Sequence, residues 1–348
     1  MIVSWSRPDV QIAVETPRPQ SLGVDRKARR SPHLKPSPAV KAACDVIAVH
    51  ADAIELSNNM TAHQAFNVIA RSTLRHFSSN AEAVRKLDGE AIHQMRVGLR
   101  RMRAAISLFG AILPASSTGK VKTELKWLSG ELAPAREIDV FVKQRIQPLR
   151  NASEPKRGIR AIEKRFFARH RQAFLRARDA LETPRYRKLL IDVLEWLEMR
   201  QPNADGTSAT PIEKFAGEAV HRRIRKARKR GRRLADLSAV ERHKLRIKIK
   251  KIRYAVDFFR NLYPAKAQAG LERLSGQLKK IQDALGALND FIAHREIAVD
   301  AALYAPRGDR RAGAFGLLLG QEKEASKTLL KATSKAMRDL RPRSVALD

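Results

Sequence analysis

Beyond about residue 40, apolar positions in this chain recur at intervals of three and four, with hardly any strict alternation, so the pattern predicts helices almost throughout. The clearest example runs from His93 to Phe109 (HQMRVGLRRMRAAISLF), where Met95, Leu99, Met102 and Ile106 form an apolar stripe at i, i+4, i+7 and i+11. From His243 to Phe259 (HKLRIKIKKIRYAVDFF) the stripe recurs as Leu245, Ile249, Ile252 and Val256. Start signals support helices elsewhere. Thr183-Pro184 places an N-cap before a helix-opening proline. Thr210-Pro211-Ile212-Glu213 and Ser238-Ala239-Val240-Glu241 have the spacing of capping boxes.

Breakers divide the pattern. Six of the 16 prolines fall in the first 38 residues, where no apolar period exists, so residues 1–40 are expected to be a disordered tail. The stretch QPNADGTSATP predicts a linker over 202–210 between a first helical half, 41–201, and a second, 211–341, with a short tail at 342–348.

The halves are related. Of the 17 aligned positions in the two quoted segments, five are identical and eight more are like for like, without a gap. A second echo follows each copy in the same order: LAPAREID (Leu132 to Asp139) and LGALNDFI (Leu285 to Ile292). The order of the two echoes indicates a duplicated unit, each copy an antiparallel helical bundle, and the fold class is all-α.

Composition changes the picture through charge. The chain has 348 residues with 69 Lys plus Arg against 36 Asp plus Glu, a net +33, which points to a polyanionic partner. Apolar content of 43% is enough for real cores. The single Cys44 excludes an internal disulfide framework and a multi-cysteine zinc site. No apolar run has the length of a signal peptide or membrane span, so a soluble cytoplasmic protein is expected.

The charge is arranged. About 110° round from the apolar stripe lie His93, Arg96, Arg100 and Arg103, and in the second copy His243, Arg246, Lys250 and Arg253. No acid interrupts either set, although like charges at this spacing are mutually destabilising. The segment from His221 to Arg253 holds 16 Lys plus Arg and two acids, a net +14. Within it, His221, Arg225, Arg228 and Arg232 form another basic stripe beside Val220, Ile224, Ala227 and Leu234; Arg71 and Arg75 are the weaker counterparts in the first half. Guanidinium forks suit phosphate oxygens, and imidazole next to a polyanion favours its charged, double-donor form.

The H-x-x-R-x3-[RK]-[RK]-x-R helix, present twice in a basic helical chain, resembles the conserved histidine α-helical domain, CHAD. RYRKLLIDVLEWL (Arg185 to Leu197) looks like the segment closing the first half in that family, and the two echoes look like its L-G-x-x-[RN]-[DE] turns. Ala133-Pro134 departs from the family's Gly, which Gly286 keeps. The resemblance, over residues 60–340, implies two pseudo-twofold-related four-helix-type bundles about a basic channel or cleft. It also implies binding of inorganic polyphosphate and association with polyphosphate granules. Carried over residue by residue, the lining would be His93, Arg96, Arg100, Arg103, His243, Arg246, Lys250 and Arg253, with Arg71, Arg75, Arg225, Arg228 and Arg232 added from stripe geometry alone.

Binding without catalysis and without a cofactor is expected. There is no E-x-E-x-K triphosphatase strand, Walker A loop, H-E-x-x-H or G-x-S-x-G, and Glu137, Asp139 and Asp290 are expected to orient arginines or cap helices rather than hold metal. The competing reading is non-specific nucleic-acid binding at low salt, which needs only charge. Nineteen aromatic residues leave few stacking platforms for single strands, and no basic helix carries the Asn, Gln and Arg mix of base reading.

Overall fold

The computed structural model describes residues 47–141, 156–199, 209–303 and 310–340. The tails expected at 1–40 and 342–348, and nearly all of the 202–210 linker, lie outside these residues. The chain order is α1 Ala62–Ser78, α2 Ala81–Arg85, α3 Gly89–Leu108, α4 Ala115–Glu131, α5 Ala133–Phe141, α6 Lys156–Glu182, α7 Pro184–Glu198, α8 Ile212–Gly231, α9 Ala239–Phe259, α10 Ala265–Leu303 and α11 Arg310–Asp339. The described residues are all-α, their one sheet-like contact being an isolated bridge between Thr61 and Pro211.

Local chemistry sets most of the boundaries. Thr183 caps α7 ahead of Pro184, and Ser238 with Glu241 forms the expected capping box of α9. Asp88 caps α3 by accepting from the Ala91 N–H at 2.7 Å, after Leu87 turns the chain at φ 64°. The capping box expected at Thr210 does not form, because Pro211, which has no side-chain acceptor, occupies the N-cap. The Thr210 carbonyl instead accepts from the Ala62 N–H at 2.8 Å, while the Ile212 N–H donates to the Met60 carbonyl at 3.0 Å. The start of α1 thus pairs with the start of α8, and the capping box in this region belongs to Thr61 and Gln64.

The apolar stripes lie inward as expected. Met95, Leu99, Met102 and Ile106 of α3, and Leu245, Ile249, Ile252 and Val256 of α9, are all at most 3% exposed. In the first half α1 packs on α3 and α7, α4 on α7, and α5 on α6; in the second, α9 packs on α8 and α10, and α11 on α8 and α10. Helix α3 crosses α9 and joins the halves.

Reciprocal contacts between residues 150 positions apart show an approximate twofold relation. Met60, Thr61 and Ala62 meet Thr210, Pro211 and Ile212 in the bridge. Arg101 reaches Asp257 at 3.6 Å, and Lys251 reaches Ser107 at 3.1 Å, so each member of one contact is the repeat mate of a member of the other. Phe109 meets its own mate, Phe259, edge-on at 6.1 Å. Such isologous contacts are what a twofold produces.

The second echo differs between the halves. Leu285 to Leu288 run inside the uninterrupted α10, whereas the helix breaks between α4 and α5 at Leu132. Pro134 is the cause: it has no N–H and its ring clashes within a continuous helix, but the first turn of a new one accepts it. Apart from the break at Leu132, both echoes are helical rather than turns.

Gly98 lets α1 and α3 approach closely. A Cβ there would fall 2.8 Å from the Phe77 Cβ and 2.9 Å from its backbone nitrogen. Gly98→Ala should therefore cost about 1–3 kcal/mol by overpacking. Phe109, fully buried and stacked on Phe215 at 4.7 Å, should cost about 3–5 kcal/mol as Phe109→Ala. Urea unfolding of the two variants checks both, with losses under about 0.5 kcal/mol contradicting this packing.

Candidate functional site

The apolar stripes fix the rotation of α3 and α9, and that rotation brings their basic side chains together. Lys250 sits half-buried at the centre. Burial, followed by the charges of Arg246, Arg100, Arg253 and Arg96, pushes its ammonium down to about 8. Two of these arginines come from the first repeat and two from the second, so neither half assembles the group alone.

Each arginine is held differently. Arg96 donates from Nη1 to the Ser129 carbonyl at 2.9 Å, in the last turn of α4 just before the helix breaks. Arg253 donates from Nη1 to Gln282 Oε1 at 3.0 Å on α10. The Arg246 guanidinium lies against Gly286, where a Cβ would stand 3.3 Å from both Nε and Nη2. The glycine of the second echo thus leaves room for this arginine. The Nε atoms of Arg100 and Arg246 are buried without an acceptor among the described residues, so both guanidinium groups retain unused donors.

The two histidines occupy matching places with unlike neighbours. His243 is exposed, its Nδ1 3.4 Å from the Asn289 side-chain nitrogen. His93 is half-buried, and its pKa is lowered by burial first, then by Arg136, with Arg100 and Arg96 adding and Glu90 opposing. Arg136 and Asn289 are the same position of the second echo. Neither is among the site residues expected from the sequence, where the echo indicates only a duplicated unit. Arg136 forms an ion pair with Asp139 at 2.7 Å, and Glu137 acts on Arg96 in the direction opposite to the neighbouring cations. These acids therefore stand among arginines; the side chain of Asp290 lies outside the described residues.

The remaining sequence candidates are distributed elsewhere. Arg103 is exposed, and its charge acts on Lys251. Arg71 pairs with Glu198 at the end of α7, at 3.6 Å, and Arg228 donates to the Arg338 carbonyl near the end of α11 at 3.3 Å. These two point at the outer helices. Arg75, Arg225 and Arg232 are exposed, and among the described residues no side-chain hydrogen bond or ion pair ties them to the Lys250 group. The basic face of α8 is thus not turned wholesale toward that of α9.

Chemically, the site offers fixed cations and N–H donors with unused capacity. Among the described residues no three His, Cys, Asp or Glu side chains come together to hold a metal ion. No described helix is long and apolar enough to cross a membrane. A multivalent anion is the complement of such a group, because it brings acceptors and offsets the mutual repulsion.

Comparison with known proteins gives consistent results. The CHAD domain family model matches residues 68–299. Among solved structures, the CHAD domain from the plant Ricinus communis aligns with a TM-score of 0.65 and 26% identity, over 85% of this chain and 98% of that one. PptA from Streptomyces chartreusis shares the fold, with a TM-score of 0.58 at 18% identity over 80% of this chain and 100% of its own. Uncharacterized protein Rv2226 from Mycobacterium tuberculosis is 27% identical over 268 residues, 74% of this chain and 49% of the relative. The chain thus spans about half the length of the curated relatives it matches.

The depressed Lys250 has a defined effect on stability. Its ordinary value is 10.5, and in the folded protein it falls to about 8. Below pH 8 the lysine is charged in both the folded and unfolded chain, so folding carries the full cost of burying that charge. Between about 8 and 10.5 only the unfolded chain keeps the proton, so this contribution favours folding more as pH rises. Lys250→Met should therefore raise Tm at pH 7 by about 2–4 °C and flatten the rise in Tm between pH 8 and 10, which calorimetry at a series of pH values measures. A lower Tm at pH 7 would contradict the repulsion at this position.

Proposed function

The chain belongs to the CHAD domain family, and from that premise we propose that it binds inorganic polyphosphate through the Lys250 group, without turning the polymer over. The observation that supports the reading is the convergence of Arg96, Arg100, Arg246 and Arg253 on one half-buried lysine whose charge they all oppose. A linear polymer with one negative charge per phosphate is well matched to such a group. It brings acceptors at every repeat, and it lacks the bases and flat surface for which nothing here is shaped. Binding in turn recruits the protein to polyphosphate granules in the cytoplasm.

Phosphate at this position should lift both Lys250 and His93, whose pKa values the free protein holds down. Binding should therefore take up protons near pH 8 and tighten as pH falls. Nucleic acid offers the same charge, so the two polymers must be compared directly. Labelled long-chain polyphosphate bound near physiological salt should resist displacement by duplex DNA of equal phosphate content; displacement at equal charge would favour nucleic acid. The variant Arg96→Ala, Arg100→Ala, Arg246→Ala, Lys250→Ala should lose on the order of ten-thousandfold in affinity, at ~1.5 kcal/mol for each of the four charged contacts. Neutralising four basic residues in the 1–40 tail should cost under about threefold. Equal losses from both sets would mean that bulk charge alone drives binding. Incubation with the polymer should release no orthophosphate.

A further inference from the structure

A second set of cations meets at the other end of the α3–α9 crossing. Lys251 donates to Ser107 Oγ at 3.1 Å, and Arg223 of α8 donates to the Ser107 carbonyl. Both cations are half-buried, although neither forms an ion pair among the described residues. Burial, then the charges of Arg223, Arg103 and Lys122, lower the pKa of Lys251, and burial followed by Arg222 does the same to Arg223. The charges acting on these two groups are all positive. Lys122 comes from α4 and is exposed, and Arg103 lies one helical turn beyond Arg100 on the same stripe. Lys251 directly follows Lys250, so this set adjoins the central one through both helices.

The repeat supplies an internal comparison. The mate of Lys251 is Arg101, and the mate of Ser107 is Asp257. Arg101 and Asp257 stand 3.6 Å apart as an ion pair, so the equivalent place on the opposite side carries its own acid. The mate of Arg223 is Thr73, a buried neutral residue whose hydroxyl donates to the Ala70 carbonyl. One frame thus holds Lys251 and Arg223 on a serine on one side, and an arginine, an aspartate and a threonine on the other, while Arg103 and its mate Arg253 keep the same charge.

We propose, resting on the reading that the central group binds phosphate chains, that Arg103, Lys122, Arg223 and Lys251 form a second phosphate subsite that extends the track on one side of the molecule only. A chain long enough to leave the central group follows Arg103 onto Lys122, Lys251 and Arg223. The acid at Asp257 denies it the matching path. Long polymers therefore gain contacts that short ones never reach, and the protein discriminates by chain length.

The decisive substitution is Ser107→Asp, which puts into the first repeat the acid that the second already carries. Titration calorimetry at fixed salt is made with two probes, long-chain polyphosphate and tripolyphosphate. Relative to Lys188→Ala, an exposed change of equal net charge on α7, Ser107→Asp should weaken the long polymer about tenfold and tripolyphosphate less than twofold. Lys122→Ala, exposed and remote from the core, should act in the same direction and guards against a folding defect in the first variant. If both variants match Lys188→Ala on the long polymer, the proposal is overturned. It is equally overturned if they weaken both probes alike, since the residues would then belong to the central site. A separate variant, Arg100→Ala with Lys250→Ala, tests the underlying reading: unchanged binding of both probes there sinks the central site itself.

Discussion

Like charges confined between packed helices repel, and the buried seam of α3 against α9 is what holds them in place. Met95, Leu99, Met102 and Ile106 on one helix, and Leu245, Ile249, Ile252 and Val256 on the other, are excluded from water, so neither helix can rotate to relieve its basic stripe. Apolar burial on this scale, about 1.5–3 kcal/mol per large side chain, outweighs the repulsion among half-buried arginines. The strain is concentrated at Lys250, the group most able to shed its proton, because arginine remains charged at any accessible pH. A group arranged in this way carries more cations than the acids around it offset, which is the charge balance that the proposed anionic ligand would complete.

The duplication set the frame, and divergence between its copies gave each side its own character. Pro134 broke the first half's helix and left the Ser129 carbonyl near the break for Arg96, whereas α10, with Ala287 in place of that proline, runs on and its Gly286 leaves room for Arg246. At the matched echo position, Arg136 stands near His93 and Asn289 near His243, so one histidine feels a cation and the other an amide. Asp257 opposite Ser107 is the same kind of difference at the other end of the crossing. A perfectly symmetric protein would carry the same charges on both sides of the crossing; this one does not.

The helical character and the two-stripe helices were legible because 3.6-residue periodicity is a local property, and apolar residues at i, i+4 and i+7 share one face only when the chain is helical. His93, Arg96, Arg100, Arg246, Lys250 and Arg253 could be picked out on the same ground, since their angular offset from the apolar stripe is set by helix geometry. Arg136, Asn289, Lys122, Arg223 and Lys251 could not. Their importance comes from which helix lies across from them, and no spacing within their own segments records it. Thr210 shows the opposite failure, a correct local signal displaced by a backbone pairing with Ala62 from the far end of the first half.

The sequence by itself determined the all-α class, the duplicated unit and the faces on which apolar and basic side chains lie, because all three follow from periodicity and self-similarity along one chain. Only the tertiary structure decided which cations meet. Arg71 and Arg228 turn to the outer helices, and the charge of Arg103 acts on Lys251. The reason is geometric: a stripe fixes a side chain's angle about its own axis, whereas the crossing of two helices fixes what stands opposite.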